Sequence, residues 1–157
     1  MLYSWLHLLA LALYLGSMTG LQLVLLPSLS AVKSHQGRVE FLARGLKLFS
    51  PMQVGALGLA VLSGAIQLTD LKAAYRELFM KELGMRLGLK LFLAFFLILL
   101  SVYQSMGVAH RFVRRCEGGD PVSPEELNAL GRRLKALTLS NLCLAAATIW
   151  LGARLRG

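Results

Sequence analysis

Two ionisable side chains lie within or at the edge of long apolar stretches of this sequence. His7 stands in a stretch without a charged side chain, from position 1 to 32, and Lys90 opens the apolar stretch 91–109. Because an ionisable group inside a bilayer is costly, such a residue indicates a functional site by default. An imidazole can ligate a metal or a haem iron, and an amine can pair with an anionic group or carry a proton. Each also has a structural alternative, since Lys90 can extend its amine to the interface and His7 can hydrogen-bond a neighbouring helix.

The composition shows what kind of element must position these two side chains. The chain has 157 residues, of which 56% are hydrophobic and 16% charged, and its mean hydropathy is +0.61. Ordinary soluble domains carry about 25% charged residues, so this composition excludes a soluble domain as well as a disordered or collagen-like chain. We therefore predict an all-α fold: an integral membrane four-helix bundle with short loops, formed by a single transmembrane domain over residues 1–157.

Four stretches are long enough to span a bilayer, and we predict helices 1 to 4 at about 2–28, 48–69, 87–110 and 124–154. We expect the first to be a membrane span and not a signal peptide, because it starts without a positively charged region and its apolar part is longer than a signal peptide needs.

Local signals define the ends of these helices and the loops between them. Loop 1 is basic and covers 33–47, and Pro51 follows in the first turn of helix 2. Ser123 and Glu126 form a capping-box pattern at the start of helix 4. Loop 2, residues 70–86, is mixed in charge and has apolar residues at helical spacing, which favours a short interfacial helix.

The excess of basic residues indicates anionic lipid and membrane topology rather than nucleic acid. The net charge is +9, from 17 Lys and Arg against 8 Asp and Glu. Ten of these Lys and Arg lie in loops 1 and 3 and six on the opposite side. The positive-inside rule then predicts loops 1 and 3 in the cytoplasm, both termini outside, and a location in the plasma or inner membrane.

The two ionisable side chains are expected at a similar depth. At 1.5 Å per residue, His7 lies about 7 Å below the start of helix 1, and Lys90 lies about 6 Å below the start of helix 3 on the same side. Gln67 and Trp150 are close to that level, near the ends of helices 2 and 4. His110 lies at the opposite end of helix 3, so His7 and His110 cannot clamp one haem within a monomer.

Each helix groups its small and polar residues on one face when residues are placed at 100° intervals. Such faces are typical of membrane helices that pack closely. Gly16 and Gly20 form a GxxxG pattern on roughly the opposite side of helix 1, which could dock a second subunit or a larger membrane complex. The grouped residues are Tyr3, His7, Tyr14 and Met18 on helix 1; Gln53, Ala56, Ala60, Ser63, Gly64 and Gln67 on helix 2; Lys90, Ala94, Ser101 and Gln104 on helix 3; and Thr138, Asn141, Ala145, Thr148 and Gly152 on helix 4.

Single residues in the first three helices form a recognisable pattern. They are Trp5-Leu6-His7, Gly16 and Pro27 on helix 1, Pro51-Met52 and Gly64 on helix 2, and Leu87-Gly88-Leu89-Lys90-Leu91 at the start of helix 3. This pattern resembles the superfamily that joins the HemJ-type protoporphyrinogen oxidases and the CopD copper-resistance membrane domain.

The resemblance implies a four-helix bundle with a haem b near the histidine of helix 1 and, in the oxidase branch, a required lysine on helix 3. These positions correspond to His7 and Lys90. The chain departs from the oxidase branch with Tyr14 where Trp is usual and Ser28 where Arg is usual. The copper branch implies His and Met ligands, for which this chain offers His7, Met80 and Met85 on the outer side.

Three functional hypotheses follow. The leading one is a haem b protein in membrane redox or porphyrin chemistry, in which His7 is the metal ligand and Lys90 the candidate catalytic residue. Tyr14 and Gln67 complete the candidate cofactor-binding set with His7 and Lys90. If the protein is an enzyme, it is a haem-dependent membrane oxidoreductase of the HemJ type. The alternatives are a copper-handling CopD-like membrane protein and a non-catalytic accessory subunit of a larger membrane complex.

Overall fold

The computed structural model describes residues 2–74 and 82–154, without the side chains of 70–74, 82–84, 86 and 154. The described residues form four long helices and no strands. Each helix is long and apolar enough to cross a membrane. The prediction of an all-α fold with four apolar helices is therefore confirmed.

Helices α1 and α2 are joined by a short connection at one end of the bundle. Helix α1 is α-helical over Leu2–Gly20, has a wide π-helical turn at Leu21–Leu25, and continues through Leu26–Ser28 into a 3-10 turn at Leu29–Ala31. Helix α2 is a continuous α-helix over His35–Ala74.

Helices α3 and α4 form the second half of the chain. Helix α3 is α-helical over Glu82–Val102, π-helical over Tyr103–His110 and α-helical again over Arg111–Glu117. Helix α4 covers Pro124–Arg154, as predicted. We call the end of the bundle at which α1 begins the His7 end, and the end at which α3 finishes the Glu117 end.

Helix α2 begins well before the predicted start near 48, so most of the predicted loop 1 is helical and Pro51 is internal. The Oγ of Ser34 accepts a hydrogen bond from the Gly37 N–H at 3.1 Å, which caps the helix at this earlier start. Leu42 and Leu46 are fully buried in the core at the Glu117 end. The charged residues of 33–47 therefore occupy one face of a helix whose other face is apolar.

The connection between α3 and α4 is shorter than predicted, because α3 continues past its predicted end near 110 and finishes at Glu117. Gly119 follows with a positive φ of 76°, a backbone conformation that glycine adopts without steric strain. Ser123 and Glu126 form the predicted capping box, in which each backbone N–H donates to the other's side chain at 3.1 Å.

Helix α1 packs mainly on α2, whereas α3 packs on both α2 and α4. One apolar core fills the Glu117 end, and a second, which includes Tyr14 and Met18, fills the middle of the bundle. Large apolar side chains such as Trp5, Leu62 and Phe92 point outward. An outward apolar surface on four candidate spans is what contact with a lipid bilayer requires.

The interfacial helix predicted within loop 2, residues 70–86, falls partly outside the described residues, which do not include 75–81. On either side, the described backbone belongs to α2 up to Ala74 and to α3 from Glu82.

Candidate functional site

His7 is anchored to helix α2 through one ring nitrogen. Its Nδ1 lies 2.9 Å from the carbonyl oxygen of Ala60 and 3.0 Å from the Oγ of Ser63. The carbonyl can only accept, and the Ser63 hydroxyl donates to the Leu59 carbonyl at 2.6 Å. Both neighbours therefore accept from Nδ1–H, which makes Nε2 the nitrogen that carries the lone pair in the neutral ring.

Gly64 provides the surface on which the His7 ring rests. A Cβ added at this glycine would lie 3.2 Å from Cε1 of His7 and 3.5 Å from its Nδ1. Any larger residue at position 64 would displace the ring. The hydrogen bonds and this close approach together fix the orientation of the half-buried imidazole.

Gln67 lies in the same seam between α1 and α2, one turn from Ser63. Its Nε2 donates to the backbone carbonyl of Tyr3 at 3.0 Å. Of the predicted cofactor-binding residues, Gln67 and His7 therefore share one seam.

Lys90 lies instead in the seam between α3 and α4. A Cβ added at Gly152 would lie 3.1 Å from the Nζ of Lys90 and 3.4 Å from its Cε. The half-buried lysine is thus in contact with helix α4, whereas the described contacts of His7 are on α2.

The depth of the two residues follows from the contact between Tyr14 and Ser101, which sets α1 and α3 level at that point. Counted back at 1.5 Å per residue, His7 lies about 10 Å and Lys90 about 16 Å from that level. The backbone of Lys90 is therefore about one turn nearer the end of the bundle than that of His7. Both residues belong to the His7 end. They are not level, whereas the sequence predicts a similar depth for them.

Tyr14 is separated from His7 by two turns and belongs to the middle of the bundle. It is 1% exposed, and its hydroxyl lies 2.6 Å from the Oγ of Ser101. The structure thus places this predicted cofactor-binding residue among the buried polar groups at the centre.

Those buried polar groups form a chain of hydrogen bonds across three helices. Ser101 donates to Asn141 at 3.2 Å, Asn141 donates to Gln104 at 2.9 Å, and Gln104 donates to Thr138 at 2.9 Å. Because the Ser101 proton goes to Asn141, Tyr14 is the donor to Ser101 and the first member of the chain. We call the set Tyr14, Ser17, Gln53, Ser101, Gln104, Ser105, Thr138 and Asn141, all buried, the central polar layer.

The sequence places most of this layer on inward faces but does not show that the side chains join. Ser17 and Ser105 are absent from the predicted faces. Ser105 lies in the π-helical part of α3, where a projection at 100° per residue fails. Polar residues recurring in all four apolar helices are the signal that could have indicated the layer.

The predicted docking glycines of α1 have different surroundings. A Cβ at Gly20 would lie 3.1 Å from the ring of Phe49, so this glycine allows close packing of α1 on α2 within the chain. Gly16 is exposed, and a Cβ there would meet nothing within 4 Å. Of the two, Gly16 is the position that faces outward.

No group of three His, Cys, Asp or Glu side chains that could hold a metal ion occurs among the described residues. Of the methionines considered for copper, Met85 is 82% exposed and Met80 lies outside the described residues.

Comparison with protein-family models, with curated proteins and with solved structures finds no match to this chain.

Proposed function

We propose that this protein binds a haem b at the His7 end of its bundle and acts in membrane redox or porphyrin chemistry, with His7 as the axial ligand. The observation that carries the proposal is the hydrogen bond from His7 Nδ1–H to the Ala60 carbonyl. A metal-ligating histidine almost always donates its other ring N–H to a backbone carbonyl, a carboxylate or a water, which fixes its tautomer and raises its basicity.

The residues around His7 fit such a group in two respects. The ring is held against α2, by the Ala60 and Ser63 acceptors at Nδ1 and by the close approach of Gly64 at Cε1. Large apolar side chains flank the ring on α1, among them the exposed Trp5 and Leu6. His110 lies at the other end of α3 and cannot reach a group held by His7. His7 is therefore the imidazole that would hold the iron at this end.

The roles of the chain's own residues follow from these positions. His7 Nε2 would hold the iron, while the Ala60 carbonyl and the Ser63 hydroxyl accept from Nδ1–H. Lys90 provides a cation at the same end of the bundle, suited to an anionic substituent such as a propionate. When bound, a haem supplies one-electron transfer, and its potential depends on the axial ligand and on hydrogen bonds to that ligand.

An absorption spectrum of the protein purified in mild detergent tests this proposal. The oxidised and dithionite-reduced spectra should show a Soret band that shifts on reduction and is lost in His7→Ala. His110→Ala is the matched control and should retain the band. If the wild-type protein, expressed with haem supplied, shows no Soret band, the haem proposal is wrong, and the copper content of the same sample then tests the CopD-like alternative.

A second candidate, an accessory subunit of a larger membrane complex, is favoured by the surface at Gly16. An exposed glycine with open space in front of it allows another helix to approach α1 closely. Native electrophoresis in mild detergent tests this candidate. A larger species that dissociates in Gly16→Leu but persists in Gly58→Leu, another exposed glycine with open space, would support it.

A further inference from the structure

The central polar layer contains a buried donor, the side-chain amide of Gln53 on α2, that the described residues leave without a partner. Gln53 is 3% exposed, and its Nε2 has no hydrogen-bond partner among the described residues. Inside a bilayer, an amide N–H deprived of any acceptor is strongly unfavourable. Something must therefore accept from Gln53.

Contacts along α1 and α2 show which residues are level with Gln53. His7 meets Ser63, and Gly20 approaches Phe49, so the two helices run antiparallel in a fixed register. That register sets Gln53 level with Ser17. On the other side, Ser105 of α3 lies 3.5 Å from the Ser50 carbonyl, one turn from Gln53. Gln53 therefore lies at the depth of the central polar layer.

The other hydrogen bonds of the layer leave acceptors at this depth. In the chain from Tyr14 to Thr138, the first bond runs from Tyr14 on α1 to Ser101 on α3, and the other three run between α3 and α4. Tyr14 thus uses its proton and keeps lone pairs on Oη. Ser17 likewise donates to the Tyr14 carbonyl at 2.8 Å and keeps lone pairs on Oγ.

We propose that the central polar layer binds an internal water molecule, which accepts a hydrogen bond from Gln53 Nε2 and donates to the hydroxyl oxygens at the same level, Tyr14 Oη or Ser17 Oγ. Buried waters occupy sites with two to four polar partners that would otherwise be unsatisfied. The layer offers the water one donor, Gln53 Nε2, and two acceptors, Tyr14 Oη and Ser17 Oγ. The water joins α2 to the chain that already connects α1, α3 and α4.

This site is independent of any haem at His7, so its test needs no cofactor. In detergent-solubilised protein labelled with ¹⁵N, the side-chain amide of Gln53 should show magnetisation transfer with water. The amide is assigned by its loss in Gln53→Met, a substitution that keeps the side-chain length and removes the donor. The Gln104 amide, which donates directly to Thr138, is the reference and should show much weaker transfer.

The melting temperature provides a second measurement with a definite sign. If a water accepts the hydrogen bond from the Gln53 amide, Gln53→Met should lower the melting temperature by about 2–4 °C. If the amide is instead a bare buried donor, its removal should raise the melting temperature. A rise in Gln53→Met, or a Gln53 amide that shows no more transfer from water than Gln104, would overturn the proposal.

Discussion

His7 and Tyr14 lie two turns apart on one helix, yet their surroundings differ in kind. His7 is half-buried and donates to a backbone carbonyl and to a serine that is already bonded within its own helix. Tyr14 is fully buried and begins a chain of side chains from α1, α3 and α4. The centre therefore uses its polar groups to fix how three helices meet. At the His7 end, the local bonds orient one ring.

This contrast predicts that changes at the centre affect stability, whereas changes at the His7 end affect the chemistry of the ring. Asn141 should show the largest effect, because it accepts from Ser101 and donates to Gln104. Asn141→Leu removes both bonds at a fully buried position and should cost about 2–3 kcal/mol in the free energy of unfolding.

Reversible unfolding in mixed detergent–SDS micelles measures that cost. Ser140→Leu, at the adjacent exposed position, is the control and should leave the stability nearly unchanged. An equal loss in both variants would mean that the hydrogen-bond chain has no special role.

Gly64→Leu should have an intermediate effect, located at the ring. The new side chain would push the His7 imidazole off α2 and break its bond to the Ala60 carbonyl. We expect a loss of about 1–2 kcal/mol and, if haem is bound, a loss or a marked shift of the Soret band.

Gly58→Leu controls for a leucine on the same helix, since a Cβ there meets nothing within 4 Å. A normal Soret band in Gly64→Leu would contradict the proposed role of this glycine in holding the ring.

Ser63→Ala should have the smallest effect on stability, about 0.5–1 kcal/mol, because the Ala60 carbonyl remains as an acceptor for Nδ1–H. A small change in the reduction potential of bound haem is expected as well, since a hydrogen bond to the axial histidine tunes the iron.

Thr69→Ala is a suitable control, because its hydroxyl also bonds a carbonyl of its own helix, at 2.8 Å, but lies exposed. Equal reduction potentials of bound haem in Ser63→Ala and Thr69→Ala would show that the Ser63 hydroxyl does not influence the site.

Parts of the fold that depend on local signals could be predicted from the sequence. The capping box at Ser123 and Glu126 gives the start of α4 correctly. The start of α2 could not be found in the same way. The charged residues of 33–47 are typical of a loop between membrane spans, although Leu42 and Leu46 form an apolar face among them.

The central polar layer shows a different limit. Projection at a constant angle places Gln104 and Asn141 on inward faces, but which side chains meet depends on the rotation of each helix. The π-helical turns at Leu21–Leu25 and Tyr103–His110 change that rotation partway along α1 and α3. The sequence has no local signal for these π-helical turns that compares with the capping box of α4.

The unbroken length of α2 has a mechanical consequence. With 40 residues, it is about 60 Å long, roughly twice the 30 Å thickness of the hydrocarbon layer. A rod of this length must tilt or project into water, and its basic first turns pack with Phe112 and Leu127 in the core at the Glu117 end. These contacts with α3 and α4 therefore restrict how far α2 can tilt independently of the rest of the bundle.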